Sequence, residues 1–220
     1  DAPLAERRRP HRLADYAGQP HLLGPAGVLT RYLAAGRLPS LLLWGPPGVG
    51  KTTLAHLLAA ELKQPFSALS AINAGVKDVR EVIEKAKRQR GTVLFIDEIH
   101  SLKRVVEEYL YSAMEDFRIT IQLGEGASTQ VLTLNLPPFT LVGATTREGQ
   151  LSAPFRSRFG IRERLDLYSA AELTAILTRS AKLLNVEADA EGLAIIATRS
   201  RGTARYANNH LRRIRDLAQV

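Results

Sequence analysis

The stretch Gly45-Pro46-Pro47-Gly48-Val49-Gly50-Lys51-Thr52 fits the pattern G-x-x-x-x-G-K-[ST] of a phosphate-binding loop. The apolar run 41–44 before it predicts a buried strand, and residues 53–62 after it predict a helix. Phosphates bind in this strand–loop–helix order because glycines let the backbone approach closely and the N–H groups at a helix N-terminus attract anions. A turn that binds nothing is the alternative, and the flanking strand and helix argue against it.

The same loop predicts which side chains hold the nucleotide. Lys51 would reach the β- and γ-phosphates of ATP, and the Thr52 hydroxyl would bind Mg²⁺. The residues expected to contact ATP or ADP here are Pro47, Gly48, Val49, Gly50, Lys51, Thr52 and Thr53.

The composition excludes disulfide-rich and thiolate-metal proteins and is compatible with an acidic partner. The chain has 220 residues, a net charge of +8 and no cysteine. Without cysteine there is neither a disulfide framework nor a thiolate metal site, which fits a cytoplasmic location. No long apolar run predicts a transmembrane helix, and Asp1-Ala2-Pro3 does not begin a signal peptide. The positive charge is compatible with DNA as a partner.

Alternating strand and helix patterns predict an α/β domain with a parallel sheet at residues 1–167, followed by a small helical domain at 168–220. Residues 117–136 alternate apolar and polar side chains about Gly124-Glu125-Gly126, which predicts a β-hairpin. Other predicted strands lie at 66–69, 93–96 and 139–142. We expect only helices after Gly160. Predicted helices lie at 24–36, 76–89, 105–115, 170–184, 189–200 and 204–218.

An acidic pair follows the third predicted strand. Asp97 ends the apolar run 93–96, where its carboxylate would hold Mg²⁺, and Glu98 would orient and deprotonate an attacking water. Two acids in these roles favour hydrolysis over transfer to a second substrate. A helix N-cap pair is the alternative interpretation.

Three further polar sites complete a pattern typical of ATP hydrolysis. A hydroxyl of Thr145 or Thr146, after the apolar strand 139–142, would hold the water against the γ-phosphate. An arginine within 152–160 would stabilise transition-state charge, and Arg205 would reach the γ-phosphate from the helical domain. Read alone, each has a plain alternative: strand-end hydroxyls in an ordinary turn, a surface arginine, and an arginine at a helix start.

Together these motifs occur in the order of an AAA+ ATPase, and most of the chain resembles the RuvB family. The resemblance implies an AAA+ P-loop parallel sheet domain with an inserted β-hairpin, then a helical lid. It also implies an ATP-dependent helicase that assembles as a hexameric ring and drives branch migration of Holliday junctions in DNA recombination and DNA repair. The segments that carry the resemblance are 9–19, 109–117, 136–147, 158–161, 200–203 and 211–220.

The resemblance also assigns residue roles. Thr146 matches the first sensor better than Thr145, Arg158 matches the arginine finger that reaches a neighbouring subunit's site, and Arg205 matches the second sensor. Lys51, Thr52, Asp97 and Glu98 match the phosphate-loop lysine, the two Mg²⁺ ligands and the catalytic base. The positions at which the family cradles adenine are Tyr16, Ala17 and Tyr168.

Two features depart from this pattern. Residues 38–101 resemble instead the RarA (MgsA) type of clamp-loader-like ATPase, which remodels protein–DNA complexes at replication forks. That task is therefore the alternative function, and a divergent member, an engineered chimera and a designed sequence all fit such a mosaic. The family also carries a C-terminal winged-helix DNA-binding domain, which we expect to be absent because this sequence stops at Val220.

The hairpin at 117–136 is the predicted partner site. In the RuvB family a hairpin here docks the junction-recognition subunit RuvA, so the partners implied are RuvA, four-way-junction DNA and further copies of the chain. Candidate contacts are Ile119, Ile121, Leu132 and Leu134. A hairpin that folds against its own core is the alternative. A non-enzymatic nucleotide-binding module is a third hypothesis, against which Asp97 and Glu98 argue.

Overall fold

A computed structural model describes residues 9–89, 91–123 and 130–218, and of residues 87, 121–123 and 130 it describes the backbone alone. The chain forms two compact units. The first contains the described residues up to Ala35, then Gly45–Glu61, then the described residues from Arg164 onward; the second contains Gly36–Trp44 and the described part of Leu62–Glu163. The predicted domains at 1–167 and 168–220 stay a prediction.

The second unit is built on a five-stranded sheet. Its strands are β1 (Leu41–Trp44), β2 (Phe66–Ser70), β3 (Val93–Asp97), then β6 (Thr140–Thr145) and β7 (Ile161–Arg164), in the spatial order β2-β3-β6-β1-β7. The pairs β2–β3, β3–β6 and β1–β6 are parallel, so the carboxyl ends of these four strands lie at one edge. The predicted α/β fold is confirmed.

Helices and a hairpin complete this unit. The helices are α4 (Val76–Lys87), α5 (Arg104–Asp116) and the short α6 (Ala153–Arg156), with 3₁₀ turns at Ile99–Ser101 and Glu148–Gln150. Strands β4 (Arg118–Leu123) and β5 (Gln130–Asn135) pair antiparallel as predicted, while the predicted turn residues 124–126 lie outside the described residues. A buried cluster that includes Leu94, Leu110 and Phe155 forms part of the core of this unit.

The first unit is helical. Near its start lie a 3₁₀ turn (Leu13–Asp15), α1 (Pro20–Leu23) and α2 (Val28–Ala34), and α3 (Lys51–Glu61) follows the phosphate loop. Helices α7 (Ala170–Leu183), α8 (Ala190–Thr198) and α9 (Ala204–Ala218) pack around Leu173, Leu177 and Leu193. Ser169 caps α7, because its hydroxyl accepts the N–H of Glu172 at 3.1 Å and the Glu172 carboxylate accepts the N–H of Ser169 at 2.8 Å.

The expectation that only helices follow Gly160 is wrong at Ile161–Arg164. These residues form β7, an edge strand in which Ile161 is buried while Arg162 and Arg164 are exposed. A strand that is charged at three of four positions has no apolar run to reveal it, and charges at a sheet edge discourage pairing with another chain. The chain holds this strand through the N–H of Gly160, which donates to Ser40 O at 2.9 Å.

Candidate nucleotide-binding and catalytic site

The predicted site residues fall into two groups, one in each unit. The first group surrounds the phosphate loop, which begins one residue after Trp44, the end of β1. Gly50 has φ +91°, and a Cβ atom there would lie 2.5 Å from Tyr168 Oη and 2.8 Å from Tyr16 Oη. Only glycine therefore fits at Gly50, where the backbone turns into α3 and the N–H of Leu54 donates to Gly50 O at 2.8 Å.

Lys51 is folded against its own loop. Its side chain is among the few buried charged groups of the described residues, and Nζ donates to Gly45 O at 2.9 Å and to Pro46 O at 2.8 Å. The loop carbonyls therefore hold the ammonium group at the loop, where a phosphate could replace them as acceptors. Thr52 and Thr53 follow on the first turn of α3 and are partly exposed.

The start of α9 lies against the phosphate loop. The N–H of Ala204 donates to Gly48 O at 3.0 Å, and a Cβ atom at Gly48 would lie 3.0 Å from Arg205 Cβ. Arg205 itself is exposed. The first unit thus brings the predicted second sensor beside the loop that would bind the phosphates.

Two tyrosines also converge on the loop. Tyr16 Oη donates to Val49 O at 3.4 Å, and Tyr168 Oη donates to Tyr16 Oη at 3.4 Å. Desolvation raises the pKa of Tyr168 and raises the pKa of Tyr16 well above the ordinary tyrosine value, so both hydroxyls are neutral at neutral pH.

Tyr16 also lines a cavity of about 820 Å³ together with Leu13, Leu57 and other residues. Ala17, the third predicted adenine contact, is partly buried beside Tyr16.

The second group lies at the carboxyl edge of the sheet. Asp97 ends β3, and Glu98 follows in the left-handed region with φ +51°, which turns the chain into the 3₁₀ turn Ile99–Ser101. The Thr146 hydroxyl donates to Glu98 Oε2 at 3.2 Å, and the N–H of Glu98 donates to Asp97 Oδ1 at 3.1 Å. The predicted base and first sensor are thus in direct contact.

Thr145 has a different environment from Thr146. It is fully buried, and its Oγ1 accepts the N–H of Arg147 at 2.9 Å and lies 2.7 Å from His100 Nδ1. The same His100 nitrogen lies 3.4 Å from Glu98 Oε2. The hydroxyl that contacts the acid is therefore that of Thr146, which supports Thr146 as the first sensor; the assignment itself stays a prediction.

Sequence reasoning missed His100. Its imidazole connects Thr145 to Glu98, and its side chain is nearly buried. The available signal was its place two residues after Glu98, at the end of a strand whose acids were already assigned to catalysis. That signal is weak because only the fold shows that the 3₁₀ turn directs His100 towards the end of β6.

Arg158 lies in the turn after α6, folded onto its own unit. Its Nη2 lies 3.1 Å from Glu115 Oε1, and its Nη1 donates to Pro154 O at 2.7 Å. The guanidinium carbon also lies 4.0 Å from the centre of the Tyr111 ring, a cation–π geometry. The role of Arg158 as a finger toward a neighbouring subunit stays a prediction.

Mg²⁺ fits the donors available. Among the described residues no three His, Asp or Glu side chains cluster into a metal site. Mg²⁺ bound with a nucleotide does not need one, because one or two protein oxygens, phosphates and waters complete its shell. Thr52 and Asp97 each carry an oxygen of this kind, and their role as Mg²⁺ ligands stays a prediction.

The apolar face of the hairpin changes from buried to exposed along its length. Ile119 pairs with Leu134, and Ile121 pairs with Leu132. Ile119 is only 2% exposed and belongs to the core, whereas Leu132 is 44% exposed. The prediction that Ile119 contacts a partner is therefore wrong, because its own unit already covers the side chain. The side chain of Ile121 lies outside the described residues.

In the part of the chain that the structure describes, every helix is too short or too polar to cross a lipid bilayer.

Sequence models of known families match both parts of the chain. The family described as the Holliday junction DNA helicase RuvB P-loop domain matches residues 8–165, and the RuvB AAA lid domain matches residues 168–220. The first match runs through 38–101, the segment expected to resemble RarA, so the replication-fork alternative is not favoured.

Individual relatives agree with this. The RuvB subunit of the Holliday junction branch migration complex of Synechococcus sp. (strain RCC307) is 51% identical over 219 residues, which cover 98% of this chain and 63% of the relative. The solved structure of the Thermotoga maritima RuvB Holliday junction branch migration motor is 43% identical with a TM-score of 0.79, covering 96% of this chain and 66% of that one. The solved structure of a single-residue mutant of the same Thermotoga maritima protein is 44% identical with a TM-score of 0.82, covering 96% of this chain and 67% of that one.

Proposed function

The chain belongs to the RuvB family, and we propose that it is the ATP-hydrolysing core of a motor that drives Holliday-junction branch migration in DNA recombination and repair. The hydrolytic part of the proposal is carried by one observation: the Thr146 hydroxyl donates to the carboxylate of Glu98 at the end of β3. A carboxylate held in this way is oriented to take a proton from an attacking water.

Binding of ATP falls to the phosphate loop and to Arg205. Lys51 would exchange its bonds to Gly45 O and Pro46 O for bonds to the β- and γ-phosphates. Arg205, exposed beside Gly48, would add positive charge at the γ-phosphate. Thr52 and Asp97 would hold Mg²⁺, which when bound neutralises charge on the phosphates.

The Thr146–Glu98 contact has a role before and during hydrolysis. The hydroxyl donor fixes the rotamer of the carboxylate, so that its second oxygen remains available to a water. Thr146 can also donate to that water when the acid turns toward it. His100 restricts the rotamers of the Glu98 side chain further, because its Nδ1 lies 3.4 Å from Glu98 Oε2 and is itself held 2.7 Å from Thr145 Oγ1.

The motor function requires a ring. We propose a hexamer in the cytoplasm, in which Arg158 of one copy stabilises charge at the nucleotide of the next. RuvA would dock on the exposed end of the hairpin, at Leu132 and the partly exposed Leu134. The net charge of +8 favours DNA as the polymer that the ring moves.

The catalytic assignment is tested by Glu98→Gln. We expect ATP turnover to fall by about 10²–10⁴-fold, while the affinity for a fluorescent ATP analogue stays the same, since the phosphate loop is unchanged. Glu187→Gln removes one exposed carboxylate elsewhere and serves as the matched control. Unchanged turnover in Glu98→Gln would show that another group is the base.

The partner assignment is tested by Leu132→Ala. Under the branch-migration function the substitution weakens RuvA binding, measured by titration calorimetry, whereas under the fork-remodelling function RuvA does not bind at all. Val131→Ala is the control, because Val131 is 63% exposed on the neighbouring position of β5 and its side chain points to the other face. Equal losses for the two variants would exclude a docking face at Leu132.

A further inference from the structure

The Arg158 side chain is enclosed by three groups of its own unit. They are the Glu115 carboxylate and the Tyr111 ring on α5, and the carbonyl of Pro154 on α6. The side chain of Arg158 keeps only 20% of its surface exposed. A finger that must reach a second subunit would instead be expected to project into solvent.

The aromatic side of this enclosure is itself fixed. Tyr111 Oη donates to the Glu107 carboxylate and lies 3.1 Å from Ser152 Oγ, and Ser152 also donates to Glu107. The Tyr111 ring centre lies 5.6 Å from that of the fully buried Phe155. Both the hydroxyl and the ring of Tyr111 are therefore anchored, so the ring presents a fixed face to the guanidinium.

The other side is open to exchange. The Glu115 side chain is 55% exposed, so its ion pair with Arg158 is accessible to water and to competing anions. Arg158 Nε is buried and has no hydrogen-bond partner among the described residues. The enclosed position thus leaves one donor unsatisfied, which a new acceptor could satisfy.

We propose that Tyr111 and Glu115 are positioning residues that hold Arg158 withdrawn, and that an anionic acceptor on a neighbouring copy, the polyphosphate of its nucleotide, draws the guanidinium away from Glu115. The proposal rests on the proposed function for the role of the finger. The withdrawn state itself depends only on the contacts within one unit. Release of the Glu115 ion pair is then a step that couples assembly of the ring to hydrolysis.

The withdrawn state is tested without any ATPase measurement. Phenylglyoxal modifies accessible guanidinium groups, and the rate at Arg158 can be followed by peptide mass spectrometry at a protein concentration too low for assembly. We expect Glu115→Gln to speed modification of Arg158 on the order of fivefold, the size expected for loss of one partly exposed ion pair. Glu108→Gln is the matched control, since it breaks the Arg104–Glu108 pair on the same helix.

Modification of Arg158 in the unchanged protein as fast as that of the 91%-exposed Arg104 side chain would overturn the proposal. So would a Glu115→Gln rate equal to that of Glu108→Gln. Because Glu115 is largely exposed, Glu115→Gln should not disturb folding, whereas Tyr111→Leu tests the ring and should speed modification again.

Turnover then tests the coupling separately. In Glu115→Gln the protein concentration that gives half-maximal specific turnover should fall several-fold, because the finger no longer leaves an ion pair when rings form. An unchanged concentration together with faster labelling would refute the coupling and retain the withdrawn state. No turnover in any variant, with the labelling difference intact, would refute the proposed function instead.

Discussion

Gly50→Ala tests whether the two tyrosines set the shape of the phosphate loop. The backbone at Gly50 has φ +91°, and a Cβ atom would meet Tyr168 Oη at 2.5 Å and Tyr16 Oη at 2.8 Å. Gly36 offers a matched comparison, because it also has a positive φ, +68°, but a Cβ atom there would meet nothing within 4 Å. Gly36→Ala thus measures backbone strain alone, and Gly50→Ala measures strain and collision together.

The expected magnitudes follow from these contacts. A non-glycine residue in the left-handed region costs about 1–2 kcal/mol, which is the full expectation for Gly36→Ala. At Gly50 the methyl group also displaces two hydroxyls, each making one long hydrogen bond of 3.4 Å. Each such bond contributes roughly 0.5–1.5 kcal/mol. Gly50→Ala should therefore lower the free energy of unfolding by about 2–5 kcal/mol.

Urea unfolding without nucleotide measures both variants. The decisive comparison is Gly50→Ala in a Tyr16→Phe, Tyr168→Phe background, where the colliding hydroxyl oxygens are absent. There the added cost of Gly50→Ala should fall to that of Gly36→Ala, as in a double-mutant cycle. If Gly50→Ala costs the same with and without the hydroxyls, the tyrosines do not constrain the loop and the reasoning fails.

Further predictions concern pH, packing and catalysis. The pKa values of Tyr16 and Tyr168 are raised in the folded chain, so above pH ~10 the unfolded chain loses protons that the folded chain keeps. The free energy of unfolding should therefore fall as pH rises past that value. Tyr16→Phe should reduce the slope of the free energy of unfolding against pH, measured by urea titrations. Phe155→Ala should cost about 3–5 kcal/mol in the same assay, since Phe155 is fully buried. His100→Ala should lower kcat roughly 10- to 100-fold with little change in ATP-analogue affinity, because Glu98 loses a positioning contact.

The parts of the fold that the sequence predicts well are those set by neighbouring residues. The run Val93–Ile96 forms most of a buried parallel strand because it is continuously apolar, and the hairpin follows from alternation along 117–136. The phosphate loop is likewise local, since its glycines and Lys51 lie within eight residues. In each case the pattern that predicts the structure is also the physical cause of it.

Contacts between distant segments could not be predicted in this way. Arg158 is held by Tyr111 and Glu115, which lie on a helix more than forty residues earlier in the chain. A motif identifies Arg158 as a candidate finger, yet it says nothing about the groups that enclose it. The same holds for His100, whose partner Thr145 is the last residue of a different strand, β6.

The two threonines at the end of β6, Thr145 within the strand and Thr146 just beyond it, show where sequence reasoning reaches its limit. A motif permits either Thr145 or Thr146 to contact the nucleophilic water, because both carry a hydroxyl at the end of an apolar strand. Successive side chains of an extended chain point to opposite sides, so a single-residue step decides which one meets Glu98. Thr145 pairs with Trp44 in the sheet, and its hydroxyl is buried against His100, whereas the hydroxyl of Thr146, one residue beyond the end of β6, donates to Glu98. Which face of a strand a given side chain occupies depends on how the strand packs, and a residue pattern alone does not determine that packing.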